Sequence, residues 1–246
     1  MLESLLAEFR QGSRRALSRL LSQVARSESV EEILKRLGQP QSRSRVVALT
    51  GSGGVGKSTL IGKLIELLRG KGSRVAVLAC DPQSPLSGGA LLGDRFRMPT
   101  RPEDEGVFIR SLATASRLGA IVANVGTMVR LLEVFGFDVI LIETVGAGQG
   151  DTAVRDVADV FVLLLQPESG DDLQWEKAGV LEVADVVAVH KADLPGAEST
   201  AAQVRASLEL PGAGAAPVVR VSAKTGAGVE DLWKAIAACS KKSARV

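Results

Sequence analysis

Apolar residues along the first 44 positions recur at helical spacing. Leu2, Leu5, Leu6 and Phe9 fall at i, i+3, i+4 and i+7, and Leu17, Leu20, Leu21 and Val24 repeat the interval. A third short helix is predicted over Val30, Ile33, Leu34 and Leu37, opened by a Ser29–Glu32 capping box and closed by Gly38 with Pro40 beyond. Such stripes serve as packing surface. From Arg45 onward the pattern changes to short, nearly continuous apolar runs: RVVALT (45–50), RVAVLAC (74–80), VFIR (107–110), DVILIET (138–144), VFVLLLQ (160–166), VVAVHK (186–191) and VVRVSAK (218–224). Continuous rather than alternating runs suit strands buried on both faces of a parallel sheet. The stretches between them, such as Thr59–Arg69 and Gly119–Phe135, are long enough for crossover helices. Strand alternating with helix predicts an α/β fold with a mostly parallel, doubly wound sheet over residues 45–246, preceded by a helical extension over 1–44.

In such sheets ligands bind where the strands end, so the residues closing each run carry the candidate chemistry. After the first run comes GSGGVGKST (51–59), which fits G-x-x-x-x-G-K-[ST] with a strand before it and an amphipathic helix after it. This is the P-loop signature of an NTPase. Backbone N–H groups of Gly51, Gly53, Gly54, Val55, Gly56 and Thr59 are placed to cradle phosphates at a helix N-terminus. Lys57 is expected at the β/γ-phosphates and Ser58 on Mg²⁺. Three carboxylates follow at or near strand ends, Asp81, Asp94 and Glu143, where a nucleotide's metal would be held. Glu143-Thr144-Val145-Gly146 has the shape of a D-x-x-G switch with Glu for Asp, its glycine N–H able to sense the γ-phosphate.

The last two runs end in HKAD (190–193) and SAK (222–224). With Asn in place of His190, the first would be the N-K-x-D base loop of a GTPase. Asp193 would accept from guanine N1–H and the exocyclic amine, and adenine would leave that acceptor unpaired. The stem of Lys191 would pack over the base, and Ser222, Ala223 and Lys224 would form the second guanine loop, a backbone N–H meeting O6. Asn in this position ties loops together and donates toward N7. A neutral imidazole also has one N–H to donate, so His190 is expected to replace it as a base-loop residue. As the chain's single histidine, without a Cys or His cluster nearby, it does not make a zinc site.

Composition narrows the setting. Thirty basic against 28 acidic residues give no case for nucleic acid or a membrane surface. Cys80 and Cys239 form no disulfide or CxxC pattern, the N-terminus lacks the features of a signal peptide, and no apolar run approaches the roughly 18–20 residues that span a bilayer. A cytoplasmic location is expected.

With these residues placed, the chain resembles the MeaB/ArgK-type, methylmalonyl-CoA mutase-associated GTPases of the SIMIBI class. The resemblance runs over most of 12–236 and rests on GSRRALSRLL, the P-loop, DPQSPLSGGALLGDRFRM (81–98), FIRSLATASRLGA (108–120), ETVGAGQGD (143–151) and SGDDLQWEKAGVLEVADVVAVHKAD (169–193). It implies a Mg²⁺-dependent GTPase chaperone whose GTP/GDP cycle gates adenosylcobalamin loading or protection of an acyl-CoA mutase. The implied partners are the mutase's cobalamin-binding subunit and, further, an adenosyltransferase. It also implies that Asp81, Asp94 and Glu143 surround Mg²⁺ and the switches, that 144–151 is switch II, and that about 168–177 is a third mobile segment. Asp94, Gln149 and Lys177 then join Lys57 and Glu143 as catalytic residues. The chain departs from the family pattern at Gly53, often Pro; at Gly146–Asp151 in switch II; at His190; and beyond residue 236, where relatives continue into a dimerising helical arm. A monomer, or a homodimer paired through the switch face, is therefore expected. A MinD/ArsA-like ATPase is the alternative, but those proteins carry a second P-loop lysine where Ser52 stands. A nickel-insertion GTPase lacks support from clustered Cys and His.

Overall fold

The computed structural model describes residues 2–81, 104–113, 118–144, 150–167, 178–210 and 215–240, with 80, 81, 113, 118–123, 150–153 and 178–180 described by their backbone alone. The helices are α1 (Leu2–Arg10), α2 (Arg14–Ala25), α3 (Val30–Leu37), α4 (Lys57–Gly70), α5 (Leu118–Phe135), α6 (Gly150–Val157), α7 (Ala178–Val183), α8 (Ala197–Leu208) and α9 (Val229–Ala238). The strands are β1 (Arg45–Thr50), β2 (Val75–Asp81), β3 (Val107–Ala113), β4 (Val139–Glu143), β5 (Val160–Leu165), β6 (Val186–Val189) and β7 (Val218–Arg220). Among the described residues they form one sheet of order β3-β2-β4-β1-β5-β6-β7, with every paired neighbour parallel. This is the doubly wound α/β architecture expected of a P-loop NTPase. β1 lies at its centre, and the chain leaves β1 toward β2 on one side and later fills the other side with β5, β6 and β7.

The continuous apolar runs have a direct cause. Val46 and Ala48 of β1 join a cluster with α1, α2, α3, α5 and α6, whereas Val47 and Leu49 point to the other face and join α4 and α9. Successive residues of β1 therefore meet a helical layer whichever way they point. The N-terminal helices belong to the first of these clusters, through Leu6, Phe9, Leu17, Leu20, Leu21, Val24 and Ile33. They also guard the outer strand. Arg14 donates to the carbonyls of Glu105 and Val107 and stacks over Phe108, and Arg110 reaches Ser18 and Ser22 on α2 at 3.2 and 2.7 Å. An exposed edge strand is thereby covered rather than left open to pairing.

The α3 capping box does not form. Ser29 sits in the left-handed region at φ 53° and makes no side-chain cap bond. An N-cap hydroxyl reaches the first turn from an extended backbone, a conformation Ser29 lacks. Ser13 has it, and accepts from the Ala16 N–H at 3.2 Å to open α2. The last strand stops at Arg220, so Ser222–Lys224 lie in the loop beyond it.

At the end of the sheet away from the ligand loops, three aspartates repeat one device. Asp138, Asp159 and Asp185 each stand one residue before a strand, in the triplets FDV, ADV and ADV. Each donates its N–H to a carbonyl of the neighbouring strand or its lead-in (Arg74, Val46 and Phe161) at 2.8–2.9 Å. Each carboxylate then accepts the N–H of that same residue, at 2.7, 2.9 and 2.8 Å respectively. Each aspartate thus clamps one residue of its neighbour by both backbone groups, which holds the stagger of β2, β1 and β5. Asp159 is 4% exposed and lies 3.6 Å from Arg43. Asp159→Ala leaves the Val46 N–H buried without its acceptor and should cost about 1–3 kcal/mol in urea unfolding. Asp159→Asn, which keeps an acceptor oxygen, should cost less, and replacing the exposed Glu28 should change stability by no more than about 0.5 kcal/mol.

Candidate functional site

The loop from Gly51 to Gly56 joins β1 to α4. Gly51 has φ 149°, and a methyl group on it would lie 2.5 Å from the Leu164 carbonyl of β5. Gly54 and Gly56 are left-handed at φ 76° and 100°. Gly53 differs: its φ is unexceptional and a methyl group on it would meet nothing within 4 Å, so a side chain fits there. No side chain caps the first turn of α4, whose N-cap is Gly56. Its leading N–H groups and positive dipole end therefore face the loop, the arrangement that binds phosphate. Lys57 Nζ folds back over the loop and donates to the carbonyls of Gly51 and Ser52 at 2.8 and 3.2 Å. Ser58 Oγ donates to Glu143 Oε1 at 2.8 Å, and both residues are buried. A hydroxyl and a carboxylate from two different elements, both hard oxygen donors, form a set that suits a divalent cation of the magnesium type. Asp81 ends β2 two residues past Ala79, the register partner of Glu143. Asp94, Gly146, Gln149 and Lys177 lie outside the described residues.

The second half of the site is assembled by β5, β6 and β7. Lys191 is left-handed at φ 55°, and its Nζ donates to Gln166 Oε1 at 2.7 Å, which lays the stem beside the end of β5. Ser222 Oγ donates to Asp193 Oδ1 at 2.6 Å and accepts from the Thr225 N–H at 3.3 Å. That hydrogen bond from Ser222 is the main reason the Asp193 carboxyl lies below the ordinary carboxylate range. Lys224 contributes from 3.8 Å with an exposed side chain, a weak pairing. Gln166 was missed from the sequence, yet it is the polar residue closing the run VFVLLLQ, the position at which ligand-end residues are sought.

His190 connects the two halves. Its Nδ1 lies 2.7 Å from the Val55 carbonyl in the phosphate loop, and its Nε2 lies 3.3 Å from the Ala223 N–H in the SAK loop. A carbonyl only accepts and an amide N–H only donates, so the ring is neutral with its proton on Nδ1. In this arrangement the ring's one N–H is directed at the Val55 carbonyl. The ring also presses on Gly56, where a methyl would come within 2.6–2.7 Å of Cε1 and Nδ1. Burial is the chief cause of its pKa lying below the ordinary 6.5.

The chain matches the family described as "Methylmalonyl Co-A mutase-associated GTPase MeaB" over residues 14–244. It belongs to that family. Its relatives include a "Putative GTPase" of Pyrococcus abyssi, 40% identical over 96% of this chain and 75% of that protein. Another is the "Methylmalonic aciduria type A homolog, mitochondrial" of Mus musculus, 38% identical over 93% of this chain and 56% of that one. Among solved structures, the "LAO/AO transport system kinase" aligns with a TM-score of 0.72 at 26% identity, covering 96% of this chain and 74% of that one. HypB of Archaeoglobus fulgidus, at 21% identity and a TM-score of 0.57 over 88% and 96% of the two chains, shares the fold. The chain is a GTPase that binds guanine nucleotide. Among the described residues no group of three or more His, Cys, Asp or Glu that could hold a metal ion occurs, and no helix is long and apolar enough to cross a membrane.

Two outcomes follow from this geometry. Gly51→Ala should abolish binding of a fluorescent GTP analogue, while Gly53→Ala should stay within about twofold of the parent protein. Because the native His190 resists protonation, the unfolded chain binds a proton first as pH falls through 6.5, and the native state is penalised from there down to the depressed native pKa. Unfolding free energy measured between pH 7.5 and 5.5 should fall with a slope of at most about 1.4 kcal/mol per pH unit, and His190→Asn should remove that slope.

Proposed function

We propose that this GTPase serves an adenosylcobalamin-dependent acyl-CoA mutase, its nucleotide cycle gating the loading or protection of the cobalamin. The family match across residues 14–244 carries the reading, and the relative named for methylmalonic aciduria supports it. In this reading the α4 N-terminus and the N–H groups of Gly51–Thr59 hold the phosphates. Lys57 Nζ exchanges its two loop carbonyls for β- and γ-phosphate oxygens. Ser58 and Glu143, with Asp81 and Asp94, would hold magnesium, which would supply charge neutralisation at the β- and γ-phosphates. Gly146 senses the γ-phosphate and Gln149 orients the attacking water. Asp193, already oriented and kept ionised by Ser222, accepts from guanine N1–H and the 2-amino group, Lys191 covers the base, and Ala223 N–H meets O6.

The partner is the mutase's cobalamin-binding subunit, with an adenosyltransferase as a second. Lys177, in the segment 168–177, takes part in hydrolysis when the mutase is bound. The protein works as a monomer or a homodimer, in the cytoplasm.

The test is a turnover assay with and without that subunit. The subunit should accelerate GTP hydrolysis, and Lys177→Ala should keep GTP affinity while losing the acceleration. Absence of both binding and acceleration rejects the chaperone reading. In competition, GTP should displace a labelled guanine nucleotide at least 100-fold better than ATP, and Asp193→Asn should shift preference toward xanthosine triphosphate.

A further inference from the structure

We infer that this protein's base pocket does not read atom N7 of the purine, so that it selects guanine by its N1, 2-amino and O6 edge alone, given that HKAD and SAK form the base site. The ground is a count of donors. An asparagine side chain carries two N–H donors and one acceptor, so it can tie to a carbonyl, receive an amide and still offer a proton to the base. A neutral imidazole carries one donor and one acceptor. In His190 the donor, Nδ1–H, is held by the Val55 carbonyl at 2.7 Å, and the acceptor, Nε2, faces the Ala223 N–H at 3.3 Å. The other tautomer would set the Nδ1 lone pair against a carbonyl and Nε2–H against an N–H. The imidazolium would keep the second of those clashes, inside a pocket where the residue is 4% exposed.

N7 is an acceptor and needs a donor. When a guanine O6 takes the Ala223 N–H, His190 Nε2 is released as a further acceptor, which cannot satisfy N7. The nearby cations are engaged elsewhere: Lys191 Nζ donates to Gln166 at 2.7 Å, and Lys224 lies on the Asp193 side at 3.8 Å. Replacing N7 by C–H therefore removes nothing the pocket uses. His190 is accordingly a positioning residue. It ties the phosphate loop to the end of β6, holds the second base loop until O6 takes the Ala223 N–H, and narrows the readout of the base.

The experiment measures affinities for GTP, 7-deaza-GTP and inosine triphosphate in the parent protein and His190→Asn, together with the ¹⁵N spectrum of the imidazole. One histidine makes that spectrum unambiguous. The parent protein should bind GTP and 7-deaza-GTP within twofold, with Nδ1 protonated and Nε2 bare. His190→Asn should prefer GTP over 7-deaza-GTP by about 2- to 12-fold, the equivalent of one neutral hydrogen bond. A fivefold or greater preference for GTP in the parent protein, or a protonated Nε2, overturns the inference even if the variant does not fold. Inosine triphosphate separates the two levels. It should bind more weakly than GTP because Asp193 loses the 2-amino donor. Equal binding of inosine triphosphate and GTP overturns the Asp193 assignment and the inference with it, whereas weak inosine triphosphate with weak 7-deaza-GTP overturns the His190 step alone.

Discussion

One imidazole held between two backbone groups organises the ligand end of this protein. The Val55 carbonyl and the Ala223 N–H belong to loops 168 positions apart in sequence, and His190 bridges them with one donor and one acceptor. The glycine at position 56 follows from the same contact, since the ring occupies the space of any Cβ there. The P-loop and the SAK loop are thereby a single mechanical unit. Burial keeps the ring neutral, and neutrality keeps both hydrogen bonds matched.

The rest of the fold supports that unit from the opposite end of the sheet. Parallel strands with both faces covered put every connecting loop of one kind at one edge, so β1, β5, β6 and β7 deliver their ends side by side. Their relative stagger decides whether Gly51 can sit against the Leu164 carbonyl and whether Asp193 meets Ser222. The aspartate clamps at Asp138, Asp159 and Asp185 hold that stagger at the opposite end of the strands. The N-terminal helices pack into the cluster on one face and cover β3, so the functional edge is backed by a wide apolar layer.

Much of this was legible in the chain. The P-loop announces its residues because the phosphate needs backbone N–H groups, and glycine adopts the positive φ at Gly51, Gly54 and Gly56 without strain. Glu143 and the HKAD and SAK segments stand out by their place at the ends of apolar runs; in the fold Glu143 meets Ser58 and Asp193 meets Ser222. Composition without backbone angle misleads at the start of α3. Ser29 and Glu32 have the right letters for a capping box, but Ser29 adopts φ 53°. Gln166 and the aspartate clamps went unread because their partners sit on other strands, and a polar letter beside a strand does not name its partner.

The sequence by itself determined the α/β class, the order of the strands and the phosphate loop. These follow from periodicity and from short motifs whose chemistry depends on neighbours in the chain. Tertiary structure decided what His190 does. From the letters alone its ring could have donated to the base. The fold places a carbonyl at Nδ1 and an amide at Nε2, and a neutral imidazole has one proton to give.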